Sequence, residues 1–137
     1  MKVLLALLLF FLPLAVNAER LDIDGLVLWG TIEAIEQGAD PYVVAGVWWH
    51  ESKGDLHAIG SHNELGAWQM KWPTYLHLCE EMGREPSMLD FLDTKAQTEV
   101  AVYGLSNGYG KWWSTYGMGI PDWLREQVRE TIEEVGE

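Results

Sequence analysis

Asp40-Pro41-Tyr42-Val43-Val44-Ala45-Gly46-Val47-Trp48-Trp49-His50-Glu51-Ser52-Lys53-Gly54 reads as one helix with both ends marked. Asp40 is a favourable N-cap, because its carboxylate accepts from a first-turn N–H that has no partner within the helix. Pro41 fits the first helical position, where no N–H is required. Gly54 stands where a left-handed residue closes a helix, and Lys53 suits the negative end of the helix dipole. Val44, Val47 and Trp48 form an apolar stripe at helical spacing, and Glu51 continues that stripe into the last turn. The face expected to meet the core therefore ends in a carboxyl group. Apolar neighbours and the helix C-terminus both disfavour the ionised form, so the pKa of Glu51 is expected to rise, as a general acid near neutral pH requires. The competing reading is a solvated glutamate, the ordinary condition of that residue type.

Outward from this stretch the chain reads as mainly α. Residues 21–37 carry Ile23, Leu26, Val27, Trp29, Ile32 and Ile35 and form a helix joined to the first by Gly38-Ala39-Asp40. Residues 55–65 lose periodicity and hold Asp55, His57, Gly60, Ser61, His62 and Asn63, a polar loop or short hairpin. Gly66 to Met70 reads as a helical turn, and Pro73 to Met82 as a helix closed by Gly83. Residues 84–93 form a connection with one helical turn, and Thr94 to Leu105 a further helix. Ser106 to Pro121, rich in glycine and aromatic residues, reads as broken helix and loop. Trp123 to Val135 closes the chain as an amphipathic helix with Leu124, Val128, Ile132 and Val135 on one side. No stretch alternates convincingly as a strand, so the expected class is all-α, or α with one small hairpin.

Residues 1–18 stand apart from the fold. Lys2 is a short positive region, Val3 to Val16 is almost wholly apolar, and Val16-Asn17-Ala18 ends on a small residue suited to signal-peptidase cleavage. The apolar run is short for a membrane span, which sets the cleaved signal peptide against a retained anchor. The expected product is exported to the periplasm or beyond, with residues 19–137 as a single domain and no stable membrane insertion after cleavage. The net charge of −12 argues against nucleic-acid or anionic-lipid partners. Cys79 is the only cysteine, so no intramolecular disulfide can form, and it reads as a small buried apolar residue.

Eighteen residues after Glu51 stands Gln69, within Gly66-Ala67-Trp68-Gln69-Met70-Lys71-Trp72-Pro73-Thr74. A Glu-Ser pair followed at this distance by Gly-x-x-Gln-Met resembles the soluble lytic transglycosylase family, which has the lysozyme-like fold. Asp40-Pro41 is similar to that family's opening of the catalytic helix, Ala58 to its loop alanine, and Pro73 and Thr74 to its residues beyond the glutamine. Thr115-Tyr116-Gly117-Met118-Gly119 partly matches the third motif, Ala-Tyr-Asn-x-Gly, with Tyr109-Gly110-Lys111-Trp112 similar to its lead-in. A rival placement uses Asn107-Gly108 but lacks the tyrosine. The resemblance spans roughly residues 39–121. Gly117 stands where the family has asparagine, and Gly60 where it has a loop serine, with Ser61 one place late.

The resemblance implies a substrate, the peptidoglycan glycan strand, cut between N-acetylmuramic acid and N-acetylglucosamine. Glu51 would protonate the glycosidic oxygen, then take the proton of the C6 hydroxyl as that attacks C1, leaving a 1,6-anhydro end. Gln69 would hold an N-acetyl group, Tyr116 would orient Glu51 or the sugar, and Ser61, Trp68 and Met70 would line the substrate groove. No cofactor or metal is implied. A wall-spanning secretion, conjugation or phage apparatus would be a natural partner, as would remodelling of the cell's own wall.

Two rival functions remain at this level. A hydrolytic muramidase needs a second carboxylate, for which Asp55, Glu64, Asp90 and Asp93 are available and Glu64 is best placed. An inactive wall-binding domain would keep the fold without the chemistry. Eight tryptophans suit a sugar-binding cleft or a core. His50-Glu51 opens like a zincin helix but lacks the second histidine, and His57, His62 and Glu64 read as a polar loop more readily than as zinc ligands.

Overall fold

The computed structural model describes residues 20–136. The expected signal segment, residues 1–18, lies outside the described residues. Among the described residues six helices follow in order: α1 (Ile23–Gln37), α2 (Pro41–Ser52), α3 (Trp72–Met82), α4 (Met88–Leu92), α5 (Thr94–Ser106) and α6 (Asp122–Val135), with a 3-10 turn at Gly110–Trp112 between the last two. The class is mainly α, as expected. No extended strand occurs among the described residues. The anticipated hairpin shrinks to isolated antiparallel bridges, Ile59 with Leu65 and Leu65 with Met70, and a third joins Leu21 to Asp55.

The helix ends follow from local chemistry. Asp22, Asp40, Ser87 and Asp93 each accept a hydrogen bond from a first-turn N–H of the helix they precede. Gly83 closes α3 in the left-handed conformation, its N–H reaching the carbonyls of Cys79 and Glu80. α2 ends one residue earlier than Gly54 suggested. Lys53 is itself left-handed, at φ 53°, and Gly54 continues the turn at φ 86°.

α1 packs against α5, α2 and α6, and α5 also against α3 and α4. The core places Trp48 of α2 with Trp68, Tyr75, Phe91, Leu26, Val100 and Leu124, all essentially inaccessible. Five successive residues of α2, Val44 to Trp48, are buried, so this helix is enclosed rather than striped. Only its ends reach the surface, and Glu51 is in the last turn. Cys79 is buried, as its reading required. No helix among the described residues is long and apolar enough to cross a membrane.

Candidate active site

The buried α2 delivers Glu51, half-buried, to a cleft of about 450 Å³. Glu64, Gln69, Met70, Lys71, Thr74 and the segment Lys111–Ser114 complete its lining. Burial holds the Glu51 carboxyl above the usual glutamate range, and the negative charge of Glu64 adds to this. A hydrogen bond from Thr115 Oγ1 to Glu51 Oε1, at 3.0 Å, works the other way and fixes the orientation of the carboxyl. Glu51 is therefore an acid biased toward its protonated form yet facing open space.

Thr115 reaches Glu51 because the segment that bears it is strapped across α2. Gly46, in the middle of α2, lets the Met118 carbonyl approach so closely that a Cβ there would lie 2.7 Å from its oxygen. One helical turn on, the His50 ring hydrogen-bonds the Gly119 carbonyl through Nε2. A glycine inside an apolar helix costs about 1 kcal/mol relative to alanine. The close approach is the physical reason to find one here.

Gln69 enters the cleft through an unusual backbone. Its φ of 47° is left-handed, a conformation that costs a non-glycine residue energy and concentrates at functional sites. Its amide Nε2 donates to the carbonyls of Ala58 at 3.0 Å and Gly66 at 2.9 Å. Both amide protons are spent on the loop, and Oε1 remains as an acceptor. A Cβ on Gly60 would lie 2.7 Å from that oxygen and 2.2 Å from Glu64 Oε2. The space that a serine side chain would take at Gly60 is thus filled by the Glu64 carboxylate.

Glu64 has the opposite electrostatic bias to Glu51. Backbone N–H groups of Glu64 itself and of His62 bind its carboxylate, the latter at 2.8 Å, and hold it below the usual range. The cleft therefore contains one carboxyl pushed toward protonation and one held ionised.

Glu51 and Gln69 are brought together as the sequence suggested; Met70 touches the same cleft but is only 2 % exposed, its side chain being part of the core. Three other expected site residues are not. Trp68 is fully buried, its indole N–H donating to Thr98 Oγ1 at 2.9 Å, while the Trp113 indole N–H donates to the Trp68 carbonyl at 2.9 Å. The turn that sends Gln69 outward leaves Ala67, Trp68 and Met70 plugging the core. Tyr116 is half-exposed and lies beside Gly38, Ala39, Asp40 and Val43, at the far end of α2 from Glu51. Ser61 is exposed at the loop tip, its hydroxyl beside His62 Nδ1 at 3.1 Å. Gly117 has φ 84°, so the departure from asparagine there falls on a left-handed turn that suits glycine.

Thr115, Lys71, Lys111 and Trp112 are the site residues that sequence reading passed over. Gly46 within α2 was the available signal for Thr115, since a glycine in a helix interior marks a close packing partner. Among the described residues no group of three or more His, Cys, Asp or Glu side chains is arranged to hold a metal. Comparison of the chain with protein-family models, curated proteins and solved structures found no match.

Proposed function

We propose that this chain is an exported peptidoglycan lytic transglycosylase that cuts the β-1,4 bond between N-acetylmuramic acid and N-acetylglucosamine. The observation that carries the reading is Glu51: a carboxyl at the end of a buried helix, open to a cleft and raised by burial. Protonated Glu51 donates its proton to the glycosidic oxygen as the bond to C1 breaks. The resulting carboxylate then accepts the proton of the C6 hydroxyl as that oxygen bonds to C1, closing the 1,6-anhydro ring. The acid is regenerated and no water is consumed. Gln69 Oε1, a free acceptor in the same cleft, takes the N–H of an N-acetyl group. Thr115 Oγ1 holds the carboxyl in place and steadies the carboxylate between the two transfers.

The test is Glu51→Gln, nearly isosteric and without the acid. Cleavage of purified sacculi should fall by about 10²–10⁴-fold, the usual contribution of a general acid, with the circular dichroism spectrum unchanged. A folded variant with near wild-type cleavage refutes the mechanism.

One observation favours a second reading. Glu64 lines the same cleft, ionised while Glu51 is biased to the acid form, and such divergence is how acid and base are assigned in paired-carboxylate glycosidases. A hydrolytic muramidase would use Glu64 as nucleophile or base. Products differing by one water separate the two.

A further inference from the structure

The chain is strongly acidic, and its few cations are mostly occupied. Among the described residues, Arg20 pairs with Asp55, Arg84 with Asp90 and Glu99, and Arg129 with Glu126 and Glu133. Lys53 lies over the Trp49 ring, Lys95 over Trp29 and Arg125 over Tyr42. The two remaining cations, Lys71 and Lys111, have neither an ion pair nor an aromatic ring, and both line the cleft of Glu51. They come from different elements, Lys71 from the residue before α3 and Lys111 from the 3-10 turn.

Neutralising the cleft's own carboxyls does not account for them. No carboxylate among the described residues lies within ion-pairing distance of either ammonium. Glu64 is held ionised first by backbone N–H groups, with Lys71 a smaller influence, and Glu51 is biased toward its neutral form. Beside Lys111, the Trp112 ring is 46 % exposed and backed by Tyr109, with centroids 4.4 Å apart. A half-exposed indole lining the same cleft as two unpaired ammonium groups suits a sugar ring that carries a carboxylate.

We infer that Lys71 and Lys111 form a carboxylate-reading subsite that selects anionic glycan over neutral glycan. The inference rests on the glycan-cleaving reading above and names the charge of its substrate. The carboxylate has two sources: the lactyl ether of a peptide-free strand, or the acidic peptide attached through that ether.

The test is calorimetric binding of three tetrasaccharides to chain already carrying Glu51→Gln, so that no bond is cut. They are a peptide-bearing muramic tetrasaccharide, the same compound stripped of peptide, and an N-acetylglucosamine tetramer. Lys71→Gln and Lys111→Gln are compared singly and together, with melting curves as the control for folding. Each exposed charge should contribute a factor of about three, so the double variant should bind anionic ligand about tenfold more weakly. The neutral tetramer should be unaffected, and high salt should mimic the double variant. Loss confined to the peptide-bearing ligand supports the inference and assigns the peptide carboxylate. Loss confined to the stripped ligand supports it and assigns the lactyl group. An undiminished preference for anionic ligand in the double variant overturns it, as does equal loss for the neutral tetramer. If the unmodified chain cleaves sacculi while the Glu51→Gln form binds all three alike, the subsite falls and the cleavage reading stands. Selective, lysine-dependent binding by a chain that cleaves nothing keeps the subsite and overturns the cleavage reading.

Discussion

Gly46→Ala tests whether the strap over α2 positions the acid. The added Cβ would lie 2.7 Å from the Met118 carbonyl oxygen, a backbone atom that no rotamer change can move. An ordinary carbon–oxygen contact is roughly 3.3–3.6 Å, so the strap must withdraw by roughly 0.6–0.9 Å. Thr115, three residues upstream, bonds Glu51 at 3.0 Å, and a withdrawal of that size takes the pair beyond hydrogen-bond range. Two energies compete in stability. Alanine in a helix interior gains about 1 kcal/mol over glycine. Overpacking costs about 1–3 kcal/mol, so the net loss should be about 0–2 kcal/mol, a fall in Tm of up to about 10 °C. The effect on chemistry is more specific. Losing the Thr115 hydrogen bond removes the larger of the two influences that lower the Glu51 pKa, so it rises further under burial. In the proposed mechanism cleavage requires the protonated form, so the alkaline limb of the pH–rate profile should move to higher pH while the maximum rate falls. The assay is sacculus cleavage across pH, alongside thermal unfolding. A Gly46→Ala protein that is more stable than wild type, with an unmoved alkaline limb, refutes the strap.

Thr115→Val should reproduce that alkaline shift and cost about 1 kcal/mol; added to Gly46→Ala it should do little more, since both remove one contact. Glu64→Gln should move the alkaline limb the other way, because the Glu64 charge helps to raise Glu51. Glu51→Gln should stabilise the chain in a pH-dependent way. In the wild type the folded state holds the Glu51 proton more tightly than the unfolded chain, so the contribution of Glu51 to wild-type stability is complete below about pH 4 and is lost as pH rises through the folded pKa, a loss the variant does not suffer. The Tm of the variant relative to wild type should therefore climb between acid and mildly alkaline pH, and a constant difference would contradict the raised pKa. Tyr116→Ala should weaken cleavage far less than Glu51→Gln, as its ring packs on Gly110 and lines the pocket at the start of α2 rather than the Glu51 cleft.

Helix placement was legible because its signals are local. Asp40-Pro41 and Gly83 cap helices through groups within a few residues, and each does so in the structure. The last turn of α2 was legible for the same reason, and with it Glu51. What failed was the direction of single side chains. Whether Trp68 or Gln69 turns outward depends on the left-handed backbone at Gln69 and on Thr98, thirty residues away. The choice of Thr115 over Tyr116 as the partner of Glu51 depends on the Met118 carbonyl seating at Gly46, a contact across the fold whose one sequence signal, a glycine inside α2, does not name its partner. The stripe read on α2 understated its burial, because the strap covers the side that a two-element picture leaves to solvent.

The most direct measurement is mass spectrometry of the products released from purified peptidoglycan by the chain comprising residues 19–137. A Glu51 that serves as acid and then as base gives muropeptides ending in 1,6-anhydromuramic acid, lighter by one water than hydrolytic products and without a reducing end, and Glu64→Gln should still release them. Reducing-end muropeptides, lost in Glu64→Gln, would contradict the one-carboxylate mechanism and make the protein a muramidase; sacculi that are bound but never cut would contradict catalysis itself.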